Sequence, residues 1–181
     1  MLTICARLAL LGACLAVAGL FAQPIALSYK PLDVQYSKPL DRLITISADP
    51  NKVHLVNPLS GAETTVNLNL APRSLSVSPD GTHAAVGHDG WISYVNLTAG
   101  YVEKNLAVSV TANSLVLAAN GNIFVSPSTT VNIATGAQNT PAYVSWQAIR
   151  PALHPNGTWI YSTRGGSPDD GPRCGHARGQ A

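Results

Sequence analysis

The sequence predicts an all-β chain built from repeated four-stranded antiparallel sheets, on three observations. A six-residue phrase recurs: "VNPLSG", "VNLTAG" and "VNIATG" begin at Val56, Val95 and Val131, steps of 39 and 36 residues. A second landmark keeps the period. The turns "SPDG" at Ser78–Gly81, "AANG" at Ala118–Gly121 and "HPNG" at His154–Gly157 place their glycines 40 and then 36 residues apart. Between these landmarks apolar and polar residues alternate in short runs, the period of a strand. Short strands repeated about every 40–45 residues are the signature of propeller blades. The expected architecture is therefore a β-propeller whose ring is incomplete.

The elements follow in chain order. Residues 1–22 read as a secretory signal peptide: one charge at Arg7, a 14-residue apolar run from Leu8 to Phe21, then Ala22-Gln23-Pro24. That run is shorter than the roughly 20 residues a spanning helix needs. Cleavage is expected after Ala22, with Ala16-Val17-Ala18 as a second small-x-small site. "LGAC", Leu11 to Cys14, resembles a lipoprotein processing box, but the apolar run continues for seven residues past Cys14, so a lipid anchor there is the lesser reading. The propeller region is 23–162. Its first blade spans about 32–69, with "RLITISA" and "KVHLVN" as middle strands. The second has strands near 73–78, 82–87, 91–96 and 101–107. A third spans about 113–145, and a fourth opens at 148–162. Residues 163–181 lack apolar periodicity, are rich in Gly, Arg and Asp, and read as a disordered tail in which no third strand is found.

Turn chemistry supports the strands. Asp80-Gly81, Asn120-Gly121 and Asn156-Gly157 are hairpin signals of type I′, in which both central residues take positive φ. In "RSLSVS", Leu75 and Val77 face one way and Ser74, Ser76 and Ser78 the other, as in a half-buried strand. The hexapeptide is expected to join the third and fourth strands. Asn57, Asn96 and Asn132 would bond the turn backbone, and the Gly four residues on would take the left-handed position.

"PRSLSVSPDGTHAAVGHDGWISYVNLTAGYVEKNL" resembles the YVTN-type β-propeller repeat of bacterial surface and periplasmic proteins. The resemblance covers about residues 32–162. It rests on Pro72, "VSPDG", a third strand ending in Val-polar-x-x-x-Gly and a valine-rich last strand. It implies a propeller fold and an exported protein. Asn57, Asn96 and Asn132 stand where that family usually has Asp, and "AVGH" stands near the place of the naming tetrapeptide. No Trp-Asp signature of the WD type is present.

Propellers close with about four to eight blades. Some three and a half are legible here, so two blade faces and two edges are left open. Self-association into a ring, an open array, or a fragment of a larger protein would each account for this. The fragment reading is favoured because composition shifts abruptly after "TWIYS".

Composition narrows function. Of 181 residues, 46% are hydrophobic and 11% charged, and the net charge is +2 with no basic cluster. Phosphate binding needs clustered Lys and Arg, so nucleic acid is not expected as a partner. The mature chain keeps only Cys174, which excludes an internal disulfide. The densest polar cluster is His83, within a predicted strand, with His88 and Asp89 at the turn after it; it is read as a solvated turn, with the two imidazoles on opposite strand faces. His54 and His154 lie in other blades, and Cys174 and His176 form a pair too small for zinc. Asp49, Asp80 and Asp89 read as turn aspartates. Trp91, Trp146 and Trp159 read as packing residues between blades in preference to a sugar platform. Asn96 and Asn156 head glycosylation sequons. No catalytic, cofactor-binding or metal-binding residue and no cofactor is assigned. The expected function is a non-catalytic exported module, secreted, periplasmic or on the cell surface, that binds a protein or glycan. The alternative is part of a propeller enzyme such as a lactonase or other hydrolase.

Overall fold

The computed structural model describes residues 24–126, 129–140, 151–155, 157, 160–163 and 174–177. The expected leader at 1–22 lies outside them. Every regular element among the described residues is a strand, and no helix among them is long and apolar enough to cross a membrane. The first sheet contains β1 (Asp33–Ser37), β2 (Arg42–Ala48), β3 (Asn51–Val56) and β4 (Glu63–Asn67). The second contains β5 (Ser74–Val77), β6 (His83–Gly87), β7 (Asp89–Asn96) and β8 (Tyr101–Thr111). The third contains β9 (Leu115–Leu117), β10 (Asn122–Val125), β11 (Thr129–Asn132) and β12 (Gln138–Asn139). The fourth has three strands: β13 (Ala152–Leu153), β14 (Ile160–Thr163) and β15 (Cys174–Ala177). Each sheet is an antiparallel meander in chain order.

The first strands β1, β5, β9 and β13 lie beside one another, so the sheets radiate from a shared hub. This is a β-propeller, and its ring is not closed among the described residues. The expected second blade is present with small extensions. β7 begins at Asp89 and β8 runs to Thr111, with register shifts between Asp89 and Trp91 and between Tyr94 and Val95.

The tail differs from expectation over four residues. Cys174–Ala177 pairs with Ile160–Thr163 as a third strand. An edge strand is held by main-chain hydrogen bonds, which need no apolar period, so composition could not announce it.

Successive blades pack face to face. Ile44, Ile46, Val53, Leu55 and Val66 of the first blade meet Leu75, Ala84, Val86 and Val95 of the second. Behind them, Ala85, Ile92, Leu106 and Val108 meet Leu115, Leu117, Ile123 and Val131 of the third. A blade buried on both faces has little room for charge, which accounts for the low charged fraction. Ser74 and Ser76 are therefore not on a wet face. Ser74 Oγ donates to Ala112 O, and Ser76 Oγ accepts from Leu117 N, both in the next blade's territory. The first blade ties forward in the same way: Asp33 accepts from Leu75 N, Gln35 both donates to Leu75 O and accepts from Val77 N, and Ser37 donates to Gly81 O.

The recurrent hexapeptide does what its residues imply. Asn57 Oδ1 accepts from Leu59 N and Ser60 N, Asn96 Oδ1 from Ala99 N, and Asn132 Oδ1 from Ala134 N and Thr135 N. Gly61, Gly100 and Gly136 close each turn with φ of 71°, 76° and 72°. The other expected turn type is corrected. Gly81 has φ of 70°, but Asp80 is not in the left-handed region, and Gly81 N donates to Ser78 O. Pro79 and Asp80 are then the central residues of a four-residue turn whose last residue is the left-handed Gly81, since the proline ring fixes φ near −65°.

Candidate functional site

Connections between β2 and β3, between β6 and β7, and from one blade to the next gather at one end of the blades. Two buried imidazoles sit near that end. His54 and Ser93 each precede their blade's turn asparagine by three residues. Across the strand from them are Thr45 and Val86, and two residues beyond those are Ser47 and His88. The same pair of positions thus holds Ser47 with His54 in the first blade and His88 with Ser93 in the second. The contacts are equivalent: Ser47 Oγ to His54 Nε2 is 2.8 Å, and His88 Nε2 to Ser93 Oγ is 3.0 Å. Only the two identities are exchanged.

In the first blade the chain continues from His54 Nδ1 to Glu63 Oε1 at 2.5 Å. Hydroxyl, imidazole and carboxylate in that order form the relay of an acyl-transfer enzyme. Its chemistry is closed off here. Ser47 is fully buried and its hydroxyl donates to the Pro50 carbonyl, so Oγ meets the ring as an acceptor. Tyr29 lies flat on the imidazole, ring centres 3.6 Å apart, with its hydroxyl 2.7 Å from Thr45 Oγ1. Burial pushes the Tyr29 phenol above its usual range. The cluster ties the segment before β1 onto the first blade, and Leu32 N adds a bond to Ile46 O.

In the second blade Ala71 O accepts from His88 Nδ1 at 3.1 Å, and Ser93 Oγ donates to Asn105 Oδ1 at 2.8 Å. His88 is 1% exposed, which corrects its reading as a solvated turn residue. Burial holds its pKa below 6.5, partly offset by the hydrogen bonds to the Ala71 and Leu70 carbonyls. The unfolded chain therefore takes up a proton near pH 6.5 that the folded chain refuses until lower pH. Stability from this site is present above pH 6.5 and is lost as pH falls through and below it. Denaturation midpoints should fall between pH 7 and 5, and His88→Gln should flatten that slope. An unchanged slope in the variant would assign the dependence elsewhere.

His83 does not join this pair. It stacks on Tyr94 at 4.9 Å, reaches Thr82 Oγ1 at 2.7 Å and lies 3.5 Å from Glu103. Among the described residues no three His, Cys, Asp or Glu side chains converge. Asp80 is a turn residue: the Ser78 hydroxyl and Thr82 hold its carboxyl below the usual range. Asp89 accepts from Thr111 Oγ1, and Asp49 precedes Pro50 in the β2–β3 turn. His154 packs edge-on to Tyr161 at 5.6 Å. Asn96 donates from its amide to Glu103 Oε1. Trp146, Trp159 and Asn156 lie outside the described residues, as do the side chains of Cys174 and His176.

Beside His88, Leu70, Ala71, Pro72, Arg73 and Asp89 line an open groove of about 410 Å³. Trp91 shares a strand face with Ser93, one step nearer the Asp89-Gly90 turn, and is 43% exposed, so it is not an inter-blade packing residue. Leu70 is equally exposed. An isobutyl group in solvent, in a groove with one cation and one anion, is suited to an amphipathic ligand.

No protein-family model matches the chain, and no characterised protein sequence matches it significantly. Solved structures do. One is Kuenenia stuttgartiensis hydrazine synthase, at TM-score 0.63 and 15% identity over 82% of this chain and 47% of that one. Another is the Cps50 (Swd1) β-propeller domain of Myceliophteria thermophila, at TM-score 0.63 and 13% identity over 77% and 50%. At such identity the likeness is one of fold. The chain spans about half the length of these neighbours.

Proposed function

We propose that this chain is an exported, non-catalytic β-propeller module of the YVTN type, part of a larger propeller, which binds a protein or glycan through loops at one end of its blades. The groove lined by Leu70, Arg73 and Asp89, with exposed Trp91 two residues along β7 from Asp89, carries the proposal. Loops held by a rigid scaffold are where binding residues collect, and tryptophan is enriched among the residues that carry binding energy. The leader-like residues 1–22 support export to the periplasm, cell surface or medium. Arrays of glycans and of extracellular proteins, probed with the purified protein, should give a ligand whose affinity falls at least about tenfold in Trp91→Ala, a loss of about 1.4 kcal/mol. Full binding by a folded Trp91→Ala protein would place the ligand elsewhere.

The second reading is part of a propeller enzyme such as a lactonase or other hydrolase, since one fold hosts unrelated functions. It expects a thermal shift with calcium, zinc or magnesium, and the absence of any shift counts against it.

A further inference from the structure

Turns of like sequence stand between the first two strands of successive sheets: Ser78–Gly81, Ala118–Gly121 and His154–Gly157. Two of their glycine amides are tied down. Gly81 N donates to Ser78 O at 2.8 Å, and Gly157 N donates to His154 O at 2.9 Å. The middle turn is tighter. Ala118 N reaches Asn122 O, four residues on, where Ser78 N reaches His83 O, five residues on. In that shorter loop Gly121 N donates to no acceptor among the described residues. A β-carbon added at Gly121 would meet nothing within 4 Å, so this peptide lies open to water. Asn120 before it is exposed, and its Oδ1 accepts from Asn122 N at 3.2 Å, which turns the carboxamide toward the backbone that follows.

We infer that Asn120-Gly121 is a modification site, at which water converts the Asn120 carboxamide to a carboxylate without an enzyme. Gly121 N gives its proton to solvent base and attacks Asn120 Cγ. The new C–N bond closes a five-membered imide, and Nδ2 leaves as ammonia. Water then opens the ring at either carbonyl, so the balance is one water taken up and one ammonia released. Glycine offers no side chain to shield the attack, and asparagine is among the thermolabile residues. The second Asn-Gly pair, Asn156-Gly157, has the same chemistry, but Gly157 N must first give up its bond to His154 O. One net hydrogen bond is worth roughly three- to tenfold in rate.

The two products differ in what the fold does with them. Ring opening at Cγ leaves aspartate, which the turn accepts: Asp80, in the equivalent turn of the second blade, takes a bond from Thr82 N at 3.0 Å just as Asn120 does from Asn122 N. Opening at the other carbonyl routes the main chain through Cγ and inserts a methylene between Ala119 and Gly121. Those residues carry the bonds that hold the turn, Ala119 N to Gly157 O at 3.3 Å and Ile133 N to Gly121 O at 3.0 Å. The isoaspartyl form therefore loosens the grip of the third blade on the fourth sheet, and the protein carries a slow timer at that junction.

The purified protein is aged in warm, mildly alkaline buffer, once folded and once in guanidinium chloride, and its peptides are followed by mass spectrometry with fragmentation that separates aspartate from isoaspartate. The rate at Asn120 divided by that at Asn156 should be at least about threefold larger in the folded protein than in the denatured one. Sequence effects cancel in that quotient. An equal or smaller quotient, or an Asn120 that survives folded while it converts in denaturant, would overturn the inference. Amide exchange at Ala119 should be at least about tenfold faster in the isoaspartyl form and unchanged in Asn120→Asp. Unchanged exchange in the isoaspartyl form would refute the timer.

Discussion

Gly81→Ala should cost the protein about 2–5 kcal/mol, the combined effect of left-handed strain of about 1–2 kcal/mol and overpacking of about 1–3 kcal/mol. Gly81 has φ of 70°, and a β-carbon there would stand 2.5 Å from Pro39 Cδ and 2.8 Å from Ser37 Oγ. Those atoms belong to the first blade. Relieving the clash pushes the two blades apart and breaks the bond from Ser37 Oγ to the Gly81 carbonyl. Gly100→Ala separates the two causes, since Gly100 has φ of 76° with nothing within 4 Å of an added β-carbon. It should lose only the conformational part, about 1–2 kcal/mol. Urea denaturation of both variants decides the matter. Equal losses would mean that contact across the blades contributes nothing at Gly81.

Ile46→Ala should destabilise by about 2–5 kcal/mol, the range for deleting a large side chain from a core that cannot collapse. Ile46 is fully buried between the first two blades, against residues that include Val53 and Val66 of its own sheet. Strands on both sides are fixed by hydrogen bonds, so the cavity stays open. The same denaturation experiment measures it, and a loss under about 1 kcal/mol would show that the first interface is loosely packed.

The strands and hairpins were legible in the sequence because both are local. Strand alternation, the Asn-to-Gly spacing of the hexapeptide and the period near 40 residues all lie within one repeat. What was not legible is β15, held by main-chain bonds within its own sheet, and whatever depends on the next blade. Ser74 and Ser76 alternate with Leu75 and Val77 as if facing water, yet each bonds a neighbouring segment 38 or 41 residues away. The Ser47–His54 and His88–Ser93 pairs had a signal, a hydroxyl and an imidazole straddling the β2–β3 or β6–β7 turn. It could be recognised only once the register put them side by side. Trp91 was read as packing because tryptophan usually packs, yet it is 43% exposed.

The forward ties of β1 and β5 give the chain a direction in time. Each bond from one hub strand to the next spans 38 to 44 residues, one repeat and no more. No contact of this kind waits for a distant part of the polypeptide, so the loop-closure cost of assembly does not grow as blades are added. A finished blade displays, along its innermost strand, the donors and acceptors that the following blade requires. Such a chain can mature vectorially, each sheet templating its successor as it emerges, whether into the cytoplasm or on the far side of a membrane.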